Sequence, residues 1–250
     1  METNHKASKI NLFWTGGWDS TYRLLEILIK EKKIVQTYYI IDPNRPSHAL
    51  EMKRMDEIRK LIYKKYPSTR DQFLPTIRIE LSDIQEDADI EKAFKEANEK
   101  QHLGNQYDWL ARFCKQFDID NMELCVQKLG NPALPCRFSP FFENDQKNGE
   151  LVYKKSLLNE PEYVLFRRFK FPILHLTKQD MLNAARQNGW LGIMKKTWFC
   201  HQPIFGKFPC GQCDPCQQTM NERGMQNRIP LLVRLMRRRP LSKILTKFYR

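Results

Sequence analysis

No apolar run in this chain of 250 residues approaches the length that crosses a bilayer, so membrane insertion is not expected. The amino-terminal residues Met-Glu-Thr-Asn-His-Lys hold no apolar stretch of the kind that directs secretion, and a cytoplasmic location with reduced thiols is the expectation. Internal repeats and low-complexity tracts are also missing. Hydrophobic residues at 41% and charged residues at 28% then read as an ordinary globular composition, long enough for one large domain with a substantial core. Acid is the scarce charge: 29 Asp and Glu face 42 Lys and Arg, a net charge of +13. That excess implies an anionic partner such as a nucleotide, nucleic acid or an acidic protein surface. Much of it sits in Arg234, Arg237, Arg238, Arg239, Lys243, Lys247 and Arg250, interleaved with Leu, Ile, Met and Phe. The expected form is an amphipathic terminal helix with a solvated basic face; nucleic acid is left open as a partner and not favoured, because no nucleic-acid motif accompanies the charge.

Strand and helix patterns alternate from the start. Lys9 to Thr15 predicts a strand ended by a Gly-Gly turn, and Tyr22 to Lys33 a helix. Ile34 to Ile41 and Ala49 to Tyr66 predict a second pair, Thr76 to Leu81 and Ile84 to Lys100 a third. A helix over Tyr107 to Phe117 and a fourth strand over Asn121 to Val126 follow. This alternation predicts an α/β fold, a parallel sheet with helices on both faces. Gly130 to Glu160, with Pro132, Pro135 and Pro140, reads as an insertion or lid outside the core. Phe171-Pro172-Ile173-Leu174 precedes a helix start with Thr177 as cap and Asp180 in the first turn. The expected organisation is a nucleotide-binding core over 1–128, an insertion over 129–170, the rest of the core with a metal site over 171–228, and a basic tail over 229–250.

Cys200, Cys210, Cys213 and Cys216 stand in the pattern C-x9-C-x2-C-x2-C, which reads as a closed zinc site. Gly211 and Pro215 supply the tight turns that converge the sulfurs. Four protein ligands leave no open coordination position, so the zinc is expected to be structural. Disulfides or inert thiols are the alternative, and they suit an oxidising compartment. Cys114 and Cys125 read as core, and Cys136 stays open.

At the junction of the first strand and helix stands Thr15-Gly16-Gly17-Trp18-Asp19-Ser20-Thr21. Glycine lets backbone N–H groups approach phosphate, the helix N-terminus adds positive potential, and Thr15, Ser20 and Thr21 offer hydroxyls. The loop fits neither the Walker nor the dinucleotide pattern. It resembles the S-G-G-x-D-S-T loop of the PP-loop ATP pyrophosphatases, with Thr15 replacing the first serine. Within that superfamily, Thr197-Trp198-Phe199-Cys200 and Cys210-Gly-Gln-Cys213-Asp-Pro-Cys216 resemble the zinc segment of the 7-cyano-7-deazaguanine synthases, the QueC-like enzymes of queuosine biosynthesis. The run from Phe171 to Asp180 is similar to that family too. The resemblance spans most of Lys9 to Glu222.

It implies ATP-dependent adenylation of a small carboxylate, 7-carboxy-7-deazaguanine, displacement of AMP by ammonia or an amine donor, and dehydration of the amide to a nitrile. On that basis Trp14, Thr15, Gly16, Gly17, Trp18, Asp19, Ser20, Thr21, Tyr22, Arg23 and Leu24 are expected to grip ATP. Asp19 positions Mg²⁺ or caps the helix. Asp19 and Ser20, with His48 and Glu51 near the end of the second strand, are the catalytic candidates; a solvated His48 and a first-turn Glu51 are the alternative. The family's Asp-Tyr-Gly-Gln-Arg-His segment is replaced by Asp42-Pro43-Asn44-Arg45-Pro46-Ser47-His48. Its mid-chain P-[GA]-R-N segment survives at most as Leu103-Gly104-Asn105-Gln106, and its D-x-S-G-Y-P-D-C-R segment is reduced to Pro135-Cys136-Arg137. These losses fall where substrate would be read. A paralogue acting on another acid or on a macromolecule, a PP-loop tRNA-modifying enzyme and a non-catalytic nucleotide sensor are therefore rival readings. Lys195, Lys196 and His201 could face phosphates or simply dress the metal knuckle. The oligomeric state is open, a homodimer included.

Overall fold

Ile10–Phe13 (β1) and Val35–Ile41 (β2) pair in parallel in the interior of the sheet. All but the last residue of β2 is buried, which a strand covered on both faces requires. Its polar members are satisfied: Gln36 Nε2 donates to the Pro75 carbonyl at 2.7 Å, and the Thr37 and Thr76 hydroxyls lie 2.8 Å apart. Ile77–Glu80 (β3), Met122–Glu123 (β4) and Phe169–Lys170 (β7) complete a five-stranded sheet in the order β3-β2-β1-β4-β7, every pair parallel. The computed structural model describes residues 9–128, 139–144, 151–222 and 224–237.

Side chains alternate across the sheet and so divide the core in two. Leu12 and Trp14 point to the face covered by Trp18–Leu25 (α1), His48–Lys65 (α2), Lys178–Gln187 (α6) and Leu191–Met194 (α7). Phe13 points to the other, covered by Ala88–Lys100 (α3), Gln106–Gln116 (α4) and Pro161–Phe166 (α5). The expected α/β fold with helices on both faces is the one observed. Chain direction reverses between β1, which leads outward to β2, and β4, which leads to β7. In open α/β sheets ligands bind beyond the strand ends at such a switch point.

Several boundaries differ from expectation for local reasons. The first helix begins at Trp18, because Gly17 takes the extended cap conformation, and it continues beyond Leu25 as a π-helical turn over Glu26–Lys30. The third helix starts at Ala88, where the Asp87 carboxylate accepts from the Ile90 N–H at 3.1 Å. The strand near Pro172 ends at Lys170, one residue before Phe171; proline has no N–H to continue a ladder, and residues 172–175 form a turn. The segment expected to stand outside the core joins it in part. Phe142–Asn144 (β5) and Leu151–Tyr153 (β6) form an antiparallel pair, and buried Phe142 packs on Phe171 with ring centroids 4.9 Å apart. Pro132, Pro135, Cys136 and Arg137 lie outside the described residues, as do the tail residues from Arg238 on and the amino-terminal eight. The described start of the tail is a helix, Leu231–Arg237 (α9). No helix among the described residues is long and apolar enough to cross a membrane.

Candidate active site

Gly16 and Gly17 turn the chain from β1 into α1. Gly16 has φ +68°, and a Cβ there would meet Met55 Cγ at 3.0 Å, so the position admits glycine alone without strain. Its carbonyl accepts from the Trp198 N–H at 3.0 Å, which binds the loop to the segment leading into the cysteine cluster. The first N–H groups of α1 have no partner within the helix, and the macrodipole adds positive potential where they point. They face a cleft of about 200 Å³ at the switch point, lined on the loop side by Thr15, Gly17, Asp19 and Ser20. Across it stand Tyr38 and Ile40 from β2, Arg45, Trp109 from α4, and Cys125. Gln106, from the segment that barely survives of P-[GA]-R-N, also lines it.

Lys178 is a neighbour of the loop that sequence reasoning missed. Its Nζ lies 2.5 Å from Asp19 Oδ1, at the loop, although 159 residues separate them in sequence. The Thr-Lys start of α6 was legible; that α6 abuts α1 was not. Nearby Glu222 is raised by burial, with Asp19 adding to the effect.

The other expected loop ligands support the loop from beneath. Trp14, Thr21 and Leu24 are fully buried, and Trp14 Nε1 donates to Thr21 Oγ1 at 3.0 Å, so that hydroxyl is spent inside. Tyr22 donates to Glu26 at 3.0 Å and is raised by burial. Arg23 makes a bidentate pair with buried Glu123 of β4, at 2.7 and 2.8 Å, and also bonds Glu31. The Trp14–Thr21 and Arg23–Glu123 bonds fasten α1 to the sheet. His48 and Glu51 do not line the cleft. His48 opens α2 with Nδ1 2.9 Å from the Arg45 carbonyl. Glu51 is buried, accepts from Ser47 at 2.6 Å and Tyr39 at 3.0 Å, and lies 3.3 Å from Arg45 Nε. It anchors the Asp42–Ser47 loop to β2, and burial together with its charge raises the Tyr39 phenol.

The four cysteines converge. Their sulfurs all lie within 4.8 Å of one another, with Cys210–Cys216 and Cys200–Cys213 at 3.9 Å. Sulfurs about 2.3 Å from one tetrahedral zinc stand about 3.8 Å apart, so the donor set fits that ion. Backbone N–H groups of Gln212 and Cys213 approach Cys210 Sγ at 3.3 Å, and that of Cys210 approaches Cys200 Sγ at 3.2 Å. Gly211 makes the turn at φ +73°, and Cys213 caps Asp214–Asn221 (α8), with Pro215 in its first turn. Cys114 is core, its thiol pushed up to about 12 by burial. Cys125 packs on the core and also reaches the cleft. His201 is partly held down by burial and by Arg45.

Residues 157–227 match the family described as queuosine biosynthesis protein QueC. The match covers α5, β7, α6, α7, the cysteine cluster and α8, and leaves the Thr15–Thr21 loop outside it. No curated protein matches the chain. The QueC match supports a queuosine-biosynthesis type of function, and the cysteine cluster fits a zinc site.

Proposed function

We propose that this protein is an ATP-dependent enzyme of QueC type, which opens ATP between its α and β phosphates to activate a carboxylate for attack by ammonia or an amine. The observation that carries the reading is the hydrogen bond from Trp198 to Gly16, which joins the QueC-like cysteine segment to a phosphate-binding turn at the sheet's switch point. The carboxylate oxygen attacks the α phosphorus, the bond to the β-phosphate oxygen breaks and pyrophosphate leaves. Ammonia then attacks the acyl carbon, loses a proton and expels AMP, giving an amide; the amide oxygen attacks the α phosphorus of a second ATP, a second pyrophosphate leaves, and departure of AMP with that oxygen and of the two N–H protons gives a nitrile. The Gly17 to Asp19 N–H groups and the Thr15 and Ser20 hydroxyls stabilise charge on the departing pyrophosphate, and Lys178 adds a cation there. Mg²⁺ would neutralise phosphate charge, with Asp19 the nearest carboxylate on the loop. Cys200, Cys210, Cys213 and Cys216 would hold zinc, which supplies structural support for the loop through Trp198 and no open position for substrate.

Incubation with ATP, Mg²⁺, ammonium and 7-carboxy-7-deazaguanine, read by mass spectrometry, tests the proposal. The nitrile, AMP and pyrophosphate are expected; ADP and phosphate as sole products would sink it. A second reading, an enzyme of the same chemistry on another acid or on a macromolecule, is favoured by the Asp42–Glu51 segment. Its one buried acid, Glu51, is consumed by Tyr39, Ser47 and Arg45. ATP binding without turnover of the deazaguanine acid selects it.

A further inference from the structure

Trp18, which lines the cleft, also lines a second cavity of about 680 Å³ that opens between α2, α6, α7 and the cysteine cluster. Its charge is one-sided: Arg54, Arg186, Lys195, Lys196 and Arg228 line it, and no Asp or Glu is among its described lining residues. Arg186, Lys195 and Lys196 are exposed, where a cation needs no partner. Arg228 and Arg54 are different. The Arg228 guanidinium sits over the rings of Trp18 and Phe199, 5.1 and 4.7 Å from their centroids. One of its nitrogens donates to the Thr197 carbonyl at 2.6 Å and to the Thr197 hydroxyl at 2.8 Å, neither of them charged. Burial brings it down to about 10, with Asp19 acting against the shift. Arg54 bonds Glu57 at 2.6 Å through Nη1, yet its Nε is buried with no partner, and so is Trp18 Nε1. A half-buried cation without a carboxylate and two buried N–H donors without partners are features that an incoming anion would satisfy.

We propose that this cavity is a second ligand site, separate from the catalytic cleft, for a nucleoside phosphate. The phosphate chemistry follows from the guanidiniums, which present forked donors to an oxyanion, and from the complete bias of charge. The planar group follows from Trp198 and Phe199, whose rings also line the cavity. The volume lies within the range of small-molecule sites, about 300–1,000 Å³. An occupant bears on the catalytic loop through two bonds already described: Arg228 holds the Thr197 carbonyl, and the next residue, Trp198, holds Gly16. The site therefore regulates or reports on the cleft, and only this coupling rests on the function proposed above.

Equilibrium dialysis of the full chain with labelled ATP and labelled AMP tests the proposal. Saturable binding of two nucleotides per chain is expected with at least one of the two probes. The double variant Arg186→Glu, Lys196→Glu changes exposed residues and should fold; it should weaken one site by tenfold or more and leave the other unchanged. Ser20→Ala should weaken only the site that the double variant spares. Loss of the Ser20-dependent site with the basic site intact would count against the proposed function and not against this cavity. A single site per chain that the double variant leaves unchanged, or two sites both indifferent to it, overturns the second site. So does a single-stranded oligoribonucleotide that fills the basic site while neither nucleotide does.

Discussion

In the proposed reaction, Ser20 and Lys178 are the side chains on which the chemistry most directly depends. Ser20 is nearly buried yet lines the cleft at the first turn of α1, where a leaving pyrophosphate gains charge. Ser20→Ala should lower the rate of AMP formation by about two to three orders of magnitude with little change in thermal midpoint, since one preorganised donor is worth about that much. Steady-state assay of AMP, with the melt as control, checks it. Lys178→Met should weaken ATP binding by at least about tenfold, because a hydrogen bond to a charged group contributes about 1.5–3 kcal/mol. Were Lys178 only a partner for Asp19, calorimetric titration would show unchanged ATP affinity with a lowered melting temperature. The hydroxyls and glycines were legible in sequence because they are contiguous. Lys178 was not, since nothing local marks a lysine at a helix start as the neighbour of a loop near the other end of the chain.

Helices here are held to the sheet by a few polar ties set among apolar contacts. The Arg23–Glu123 pair joins α1 to β4 with Glu123 almost wholly buried. Glu123→Ala should destabilise the protein by about 1–3 kcal/mol in urea unfolding, because Nε and Nη2 of Arg23 lose their acceptor while Glu31 still holds Nη1. At α6, Thr177 and Asp180 form a reciprocal capping box, and hydrogen bonds from Thr177 hold the Asp180 carboxyl below its usual range. A lowered folded-state value means the stabilisation is present above the unfolded value, about 3.9, and is lost as pH falls through the folded one. Thermal midpoints should therefore drop between about pH 5 and pH 3, and Asp180→Asn should drop less over that interval than the parent. The cap was readable from spacing alone; the partner of Arg23 was not, because Glu123 lies 100 residues away on a strand of only two residues.

In the molecule as a whole, the cysteine segment and the Gly16-Gly17 turn are joined by the Trp198–Gly16 bond. Removing the metal should loosen both: Cys213→Ser, or exhaustive chelation, should lower the thermal midpoint and weaken ATP binding together, since Trp198 loses the support that aims it at Gly16. Zinc content by elemental analysis, set beside nucleotide affinity, checks this; a zinc-free protein with unaltered ATP affinity would separate the two. The sequence by itself determined the alternating α/β architecture, the four-cysteine ligand set and the glycine turn, because each is written in short-range spacing that backbone geometry converts directly into shape. Tertiary structure alone decided that Glu51 is an anchor, that Phe142 belongs to the core, that Lys178 meets Asp19 and that Arg228 lies half-buried over Trp18. These depend on which surfaces meet once the strands have paired. Burial and charge pairing arise between residues far apart in the chain, and local pattern carries no record of them.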